Sequence, residues 1–160
     1  MPTPKSERVA EFLRQSNAIE REYSEMAYED AMAAWTWVMT YNHYDLSNGM
    51  ILEIHRLLMR RLNLRIAGQL RTIGVMVGGR ICPDAREVSH RLDIWLEEYG
   101  KVRTAQAIKN AHVAFEHIHP FEDGNGRTGR ILMNFQRVRA RLPILVIHEG
   151  KEQMKYYTWF

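Results

Sequence analysis

Three glycines, Gly124, Gly126 and Gly129, constrain the fold of this 160-residue chain more than any other feature. Their spacing matches G-x-G-x-x-G, the dinucleotide fingerprint, which requires a β-strand before it and a βαβ unit around it. The preceding residues, from Thr104 to Ile118, instead place apolar side chains at helical spacing, and the letters HPFED intervene. A P-loop is excluded because the run lacks the required lysine. The glycines therefore do not belong to an α/β nucleotide-binding sheet.

The rest of the sequence predicts one all-α domain over residues 1–160. Apolar residues recur at three- and four-residue spacing along most of the chain, and the first helix is expected over about residues 6–28. The segment from Leu70 to Ile81 differs, because apolar residues alternate there ahead of the pair Gly78-Gly79. Alternation followed by two glycines predicts a short β-hairpin on the helical body.

Short polar residues mark the expected helix starts. Ser47 and Thr104 each precede an apolar-periodic run and are predicted N-caps. The segment Asp84–Glu87 has the spacing of a capping box. Residues 144–147 are expected to be extended, and Tyr156–Phe160 is interpreted as the first turn of a further helix.

Charge and cysteine content narrow the function classes. The net charge is only +3 and the arginines are spread along the chain, which disfavours nucleic acid as a partner. The single cysteine, Cys82, rules out a disulfide within the chain and suits a reducing compartment. The N-terminal residues do not form a signal peptide, and no apolar run approaches the ~20 residues of a membrane span. We therefore expect a cytoplasmic protein without membrane contact.

The glycine run has the properties of an anion site. Gly124, Asn125 and Gly126 come just before a predicted helix, where free backbone N–H groups carry partial positive charge. Glycine also lets a phosphate approach the backbone closely. Arg127 and Arg130 are three residues apart, so both are expected on one face of the first helical turn.

Two further residues add chemistry to this site. Asp123 would repel a bound phosphate unless a divalent cation lay between them, which implies Mg²⁺. His119 is a candidate general base, because the ordinary imidazole pKa lies in the useful range. Together these residues predict metal-assisted phosphoryl or nucleotidyl transfer.

The other histidines have simpler interpretations. His55 lies among apolar residues of a predicted helix and is expected to be structural. His112 and His117 are five residues apart, which places them on different helical faces. With His119 they do not form a convincing zinc site.

The stretch HPFEDGNGRTGR, from His119 to Arg130, resembles the signature of the Fic family, H-P-F-x-[D/E]-G-N-G-R-x-x-R. The segments Ala67–Gly79, Ile51–Met59 and Pro143–Tyr157 also resemble parts of that family. The resemblance implies a compact all-α fold with a hairpin called the flap. It also implies transfer of AMP from ATP to a Ser, Thr or Tyr hydroxyl of a target protein.

The resemblance assigns roles within the signature. His119 would be the general base on the target hydroxyl, and Asp123 would hold Mg²⁺ against the phosphates. Phe121 would be a buried anchor of the loop. Tyr156 and Tyr157 fall where the family has aromatic residues near the adenine. Of the two, the resemblance assigns nucleotide binding to Tyr157.

The remaining signature residues would bind the nucleotide. Gly124, Asn125 and Gly126 would form the anion hole around the α- and β-phosphates. Arg127 would contact the same phosphates, and Arg130 would bind the γ-phosphate.

The flap would align a segment of the target beside the active site by backbone hydrogen bonds, as in β-strand addition. Its residues would be Leu70, Arg71, Thr72, Ile73, Gly74 and Val75. The target protein and the oligomeric state, including a homo-oligomer, remain open at this point.

A second motif lies near the N-terminus. The letters SNAIER, from Ser16 to Arg21, resemble the family's inhibitory motif [S/T]-x-x-x-E-[G/N]. Glu20 would pair with Arg130 and block productive binding of the γ-phosphate. Arg21 departs from the pattern, because glycine or asparagine is expected there.

Two alternatives to AMP transfer stay open. The same scaffold would remove AMP from a modified protein if Glu20 positioned a water molecule. A non-catalytic module would use the pocket only to bind a nucleotide or a partner, although His119 and Asp123 argue for an enzyme.

Overall fold

The computed structural model describes residues 1–160 and confirms an all-α domain with one small hairpin. The elements, in chain order, are α1 (Pro4–Ile19), α2 (Glu25–Met39), α3 (Asn48–Met59), β1 (Met76–Val77), β2 (Arg80–Ile81), a 3₁₀ turn (Ala85–Glu87), α4 (Val88–Tyr99), α5 (Ala105–Ile118), α6 (Asn125–Arg139) and α7 (Lys151–Tyr157). None of these helices has both the length and the apolar character needed to cross a bilayer.

The predicted N-caps of α3 and α5 are confirmed. The Ser47 hydroxyl accepts the N–H of Met50, and the Thr104 hydroxyl accepts that of Ala107. The capping box at residue 84 is wrong, because Asp84 instead begins the 3₁₀ turn by accepting the N–H of Arg86.

Helix α6 is the centre of the fold. It packs against α1, α2, α3 and α5, and nearly all of its residues from Asn125 to Gln136 are buried. Phe115 of α5, Phe121 of the connecting loop and Phe135 of α6 are fully buried in the main core. The loop that carries the signature is therefore held between two core helices.

The N-terminal helix is shorter than predicted. Instead of continuing to about residue 28, α1 ends at Ile19, and α2 begins at Glu25 with Ser24 as its N-cap. Arg21 has a φ of +56°, a left-handed conformation that a helix cannot continue through. Tyr23, which follows this break, is 67% exposed.

The C-terminal segment also differs from expectation. Tyr156 and Tyr157 lie in the last turn of α7, not in the first turn of a helix. This seven-residue helix is too short to show the apolar periodicity by which a helix is predicted from sequence. Residues 144–147 form neither helix nor strand.

The hairpin is confined to two residues on each side. Met76 pairs with Ile81 and Val77 with Arg80, in antiparallel register. The two turn residues, Gly78 and Gly79, have φ values of +56° and +78°, which glycine adopts without steric cost. Residues 70–75 lead into the hairpin as an irregular segment.

Candidate active site

The loop between α5 and α6 is fixed by its own side chains. Asn125 accepts the N–H of Phe121 through Oδ1 at 2.9 Å and donates from Nδ2 to the Phe121 carbonyl at 2.8 Å. His119 ends α5 in the left-handed region, with φ +50°, and its N–H donates to the Phe115 carbonyl at 3.1 Å. The Asn125 side chain therefore holds the loop, so only the backbone of this residue can face an anion.

His55 of α3 is a structural residue that packs against the loop and bonds to it. Its ring stacks on Phe121 with centroids 3.7 Å apart, Nε2 donates to the Asp123 carbonyl at 2.8 Å, and Nδ1 accepts the N–H of Gly68 at 3.0 Å. Burial lowers the pKa of His55 to about 4, so the ring is neutral. Gly124 packs on this ring with φ +83°, where a Cβ atom would collide with Met59.

The start of α6 presents free backbone donors, as predicted. No side chain caps this helix, and its first N–H groups belong to Asn125, Gly126 and Arg127. A Cβ atom at position 126 would collide with the carboxylate of Glu20 and with the guanidinium of Arg130. Glycine at this position therefore leaves room for charged groups close to the helix terminus.

His119 lines a cavity of about 570 Å³ in front of this terminus. Its walls are Glu20, Val77, Gly78, Arg80, Glu116, Gly126, Arg130, Tyr156, Tyr157 and Phe160. Burial lowers the pKa of His119, the Glu116 carbonyl raises it, and Arg71 and Arg80 lower it again. The net shift is downward, so the imidazole is neutral near pH 7 and able to accept a proton.

Asp123 lies in a second cavity of about 290 Å³, which it shares with Arg127 and Glu20. Its side chain is 67% exposed, Oδ1 accepts the Gly124 N–H at 2.7 Å, and the Arg127 guanidinium is 3.6 Å away. No cluster of three metal-binding side chains exists anywhere in the chain. An exposed single carboxylate fits a Mg²⁺ ion whose remaining ligands are phosphate oxygens and water.

Arg127 and Arg130 do not share one open face, contrary to the sequence-based expectation. Arg127 reaches the smaller cavity, whereas Arg130 lies at the wall of the larger one. Glu20 borders both cavities and so lies between the two arginines. Different partners separate their side chains, because Arg130 bonds to Ser16 and Glu20 whereas Arg127 lies beside Asp123.

Glu20 contacts Arg130 as the N-terminal motif predicts. Its Oε1 accepts from Arg130 Nη2 at 2.7 Å, and the carboxylate side chain is 36% exposed while that of Arg130 is buried. Ser16 adds two bonds: its hydroxyl accepts from Arg130 Nε at 2.8 Å, and its carbonyl from Nη2 at 3.0 Å. Helix α1 thus holds the second signature arginine through both motif residues.

Tyr156 completes the surroundings of Arg130, a role that the sequence did not reveal. Its hydroxyl accepts from Arg130 Nη1 at 3.3 Å and donates to Nε2 of His112 at 2.7 Å. Burial lowers the pKa of His112 to about 3, so that ring is neutral and accepts the tyrosine proton. Tyr157 also borders the cavity, but it is exposed, and its hydroxyl accepts from Gln153.

Arg71, one of the predicted flap residues, has a structural role. It is buried, and its guanidinium donates to four carbonyl oxygens: those of His119 at 2.6 Å, Pro83 at 2.6 Å, Ile73 at 2.9 Å and Ile118 at 3.2 Å. These bonds tie both ends of the hairpin segment to the His119 turn. A guanidinium used in this way is unavailable to a docked partner.

The other predicted flap residues remain accessible to different degrees. Thr72, Ile73 and Gly74 are exposed, whereas Leu70 and Val75 are half-buried. The large apolar side chain of Ile73 therefore faces solvent next to the His119 turn.

The family model for the Fic/DOC family matches residues 45–136, which is more than half of the chain. The chain therefore belongs to the Fic/DOC family. The matched range contains the flap and nearly all of α6, but not α1 or α7.

Curated relatives carry the same family name. The chain is 37% identical over 114 residues to the protein adenylyltransferase Fic of Culex quinquefasciatus, covering 68% of this chain and 23% of the relative. It is 36% identical over 118 residues to the protein adenylyltransferase Fic of Drosophila melanogaster, covering 71% of this chain and 24% of the relative. The chain thus spans about a quarter of the length of these relatives.

Solved structures agree on the fold. A Fic-domain signalling protein of Bacteroides thetaiotaomicron superposes with a TM-score of 0.80 at 21% identity, covering 95% of this chain and 70% of that one. Fic-1 of C. elegans gives a TM-score of 0.76 at 20% identity, covering 93% of this chain and 53% of the C. elegans chain.

Proposed function

We propose that this protein transfers AMP from ATP to a Ser, Thr or Tyr hydroxyl of a target protein, itself included. The observation that carries the proposal is a neutral His119 beside a helix terminus with free N–H groups and two flanking arginines. The names of the curated relatives support the same chemistry. The buried, unpaired Cys82 agrees with a reducing cytoplasm as its location.

In the proposed reaction, the target hydroxyl oxygen attacks the α-phosphorus of ATP. The bond from the α-phosphorus to the bridging oxygen breaks, pyrophosphate leaves, and His119 accepts the hydroxyl proton. Backbone N–H groups of Gly126 and its neighbours, with Arg127, meet the charge that develops on the phosphates. Arg130 binds the terminal phosphate. Mg²⁺ held by Asp123 would neutralise phosphate charge beside this site.

The target would dock on the exposed segment Thr72–Gly74. An extended peptide would pair with this backbone and so bring a hydroxyl toward His119. Arg71 supports this role indirectly, because its bonds to the carbonyls of His119 and Ile73 fix the spacing between flap and base.

Glu20 would inhibit the reaction in two ways. Its ion pair with Arg130 occupies the group that the terminal phosphate needs, and its negative charge repels that phosphate. It also forms the wall shared by the Asp123 and His119 cavities, so that withdrawal would join them into one site for a triphosphate.

Radiolabelled ATP distinguishes this chemistry from the alternatives. In the Glu20→Gly background, protein is incubated with Mg²⁺, cell lysate and ATP labelled at either the α- or the γ-phosphate. Protein-bound label is expected from α-labelled ATP only, and is expected to vanish in the Glu20→Gly/His119→Ala variant. Transfer of the γ-label would indicate a kinase, and bound ATP without any transfer would indicate a non-catalytic module.

A second candidate function is removal of AMP from a modified protein. The Glu20 carboxylate favours it, because this group is partly exposed beside Gly126 and can orient a water molecule. Proteins labelled by the Glu20→Gly variant would then lose their label when wild-type protein is added. Stable label in that mixture would leave transfer as the only activity.

A further inference from the structure

A second carboxyl group lies in the cavity of His119 and Arg130, and none of the roles proposed above uses it. Glu116 belongs to α5, one turn before His119, and lines this cavity. Its Oε1 atom is buried without a hydrogen-bond partner. Buried polar atoms are nearly always hydrogen-bonded, so an orphaned carboxyl oxygen beside an arginine needs an explanation.

Two glycines of α6 make room for two carboxyl groups. A Cβ atom at Gly126 would collide with Oε1 of Glu20, and one at Gly129 would collide with Oε1 of Glu116. The glycines are three residues apart, so the two acids lie one above the other along the same helix face. A glycine inside a helix costs stability relative to alanine. Position 129 is variable in the Fic signature, so its glycine is explained here by the presence of Glu116.

Only one positive charge lies directly between these acids. Burial raises the pKa of Glu116 to about 7, Arg130 lowers it, and Glu20 raises it. The titratable or charged groups that surround Glu116 come from the end of α1, the hairpin, α5, α6 and α7, and are Glu20, Arg80, His112, His119, Arg130, Tyr156 and Tyr157. While Glu20 is paired with Arg130, Glu116 therefore keeps its proton below about pH 7.

We propose that Glu116 is a specificity-determining residue of the Arg130 pocket. As a neutral acid, Glu116 admits a terminal phosphate to the pocket. As a carboxylate, it replaces Glu20 as the counter-ion of Arg130. This inference rests on the proposed nucleotide chemistry for the identity of the ligand. The neutral acid has an O–H donor for a phosphate oxygen. The carboxylate instead repels the phosphate and neutralises Arg130, so withdrawal of Glu20 alone leaves the arginine only partly available.

Nucleotide binding tests the first part. Dissociation constants for Mg-ATP are measured by calorimetry for Glu20→Gly and for Glu20→Gly/Glu116→Gln, because glutamine keeps the size and a donor but cannot ionise. Between about pH 5.5 and about pH 8, the constant of the single variant is expected to rise about tenfold more than that of the double variant, the equivalent of one pKa unit of coupling. Titration of ATP itself affects both variants equally and therefore cancels in the comparison. An equal pH dependence would overturn the proposal.

Two controls separate this inference from the proposed function. ADP lacks the terminal phosphate and is expected to reduce the difference between the variants. Carbon-13 NMR of labelled glutamate side chains follows the Glu116 carboxyl without any nucleotide, and its pKa is expected to fall when Glu20 is replaced by glycine. Failure of every variant to bind ATP would refute the proposed function and the phosphate contact, whereas an unchanged Glu116 pKa would refute the counter-ion role by itself.

Discussion

Replacement of Arg21 by glycine is expected to stabilise the protein, although it removes a charged side chain next to the proposed inhibitory residue. Arg21 follows Glu20 at the end of α1, with φ +56°, and its exposed side chain makes no hydrogen bond. A left-handed conformation costs a non-glycine residue about 1–2 kcal/mol. Glycine removes that cost. Glycine also increases the conformational entropy of the unfolded chain, which lowers stability by about 0.4–1 kcal/mol.

With the midpoint of each range, the net gain for Arg21→Gly is about 0.8 kcal/mol in the free energy of unfolding. For a domain of this size it corresponds to a rise in Tm of about 1–4 °C. Urea denaturation and thermal melting both measure it. Because the family motif has glycine or asparagine here, the same strain also explains why those residues are expected at this position.

Arg8→Gly is the matched control within the same helix. Arg8 has ordinary helical geometry and pairs with Glu11 at 3.2 Å, so glycine there is expected to lower stability by about 1 kcal/mol. Opposite signs for the same exchange at two positions of α1 would isolate the backbone effect. A loss of stability in Arg21→Gly comparable to that in Arg8→Gly would refute the reasoning.

Two further predictions concern contacts away from the phosphate site. Arg71→Lys is expected to lower the free energy of unfolding by about 3–5 kcal/mol, because an ammonium cannot replace a buried guanidinium that bonds four carbonyls; a loss below about 1 kcal/mol in urea denaturation would contradict this. His148 bonds Glu11 of α1 at 2.7 Å and Glu152 of α7 at 2.8 Å, and these bonds raise its pKa. The stability from this bridge is full below the unfolded pKa of about 6.5 and is lost as pH rises through the higher folded value, so Tm should decline less with rising pH in His148→Gln than in wild type; parallel Tm profiles would refute the bridge.

Local sequence patterns predicted most of the fold. Ser47 and Thr104 cap helices as expected because an N-cap bond involves residues only three apart. The Gly78-Gly79 turn is equally local. The break at Arg21 was missed because arginine carries no signal for a left-handed conformation, so the helix pattern was extended beyond it.

The parts of the site that were missed depend on contacts between distant segments. Arg71 was predicted only as a flap residue, but the fold surrounds its guanidinium with carbonyls from the hairpin segment and the His119 turn. Tyr156 and Tyr157 are adjacent in sequence, and only the packing of α7 decides that Tyr156 faces Arg130. Glu116 resembles any helical glutamate until its position against Gly129 is known.

The central claim is that Glu20 restrains an otherwise competent AMP-transfer site. The most direct test compares the initial rate of protein labelling from α-labelled ATP in wild type, Glu20→Gly and Glu7→Gly. Glu7 is an exposed glutamate at the start of α1 and controls for the effect of glycine in that helix. The account predicts a rate at least about tenfold higher in Glu20→Gly alone, since loss of one ion pair at a buried arginine exceeds about 1.4 kcal/mol. Equal rates in the three proteins would contradict it.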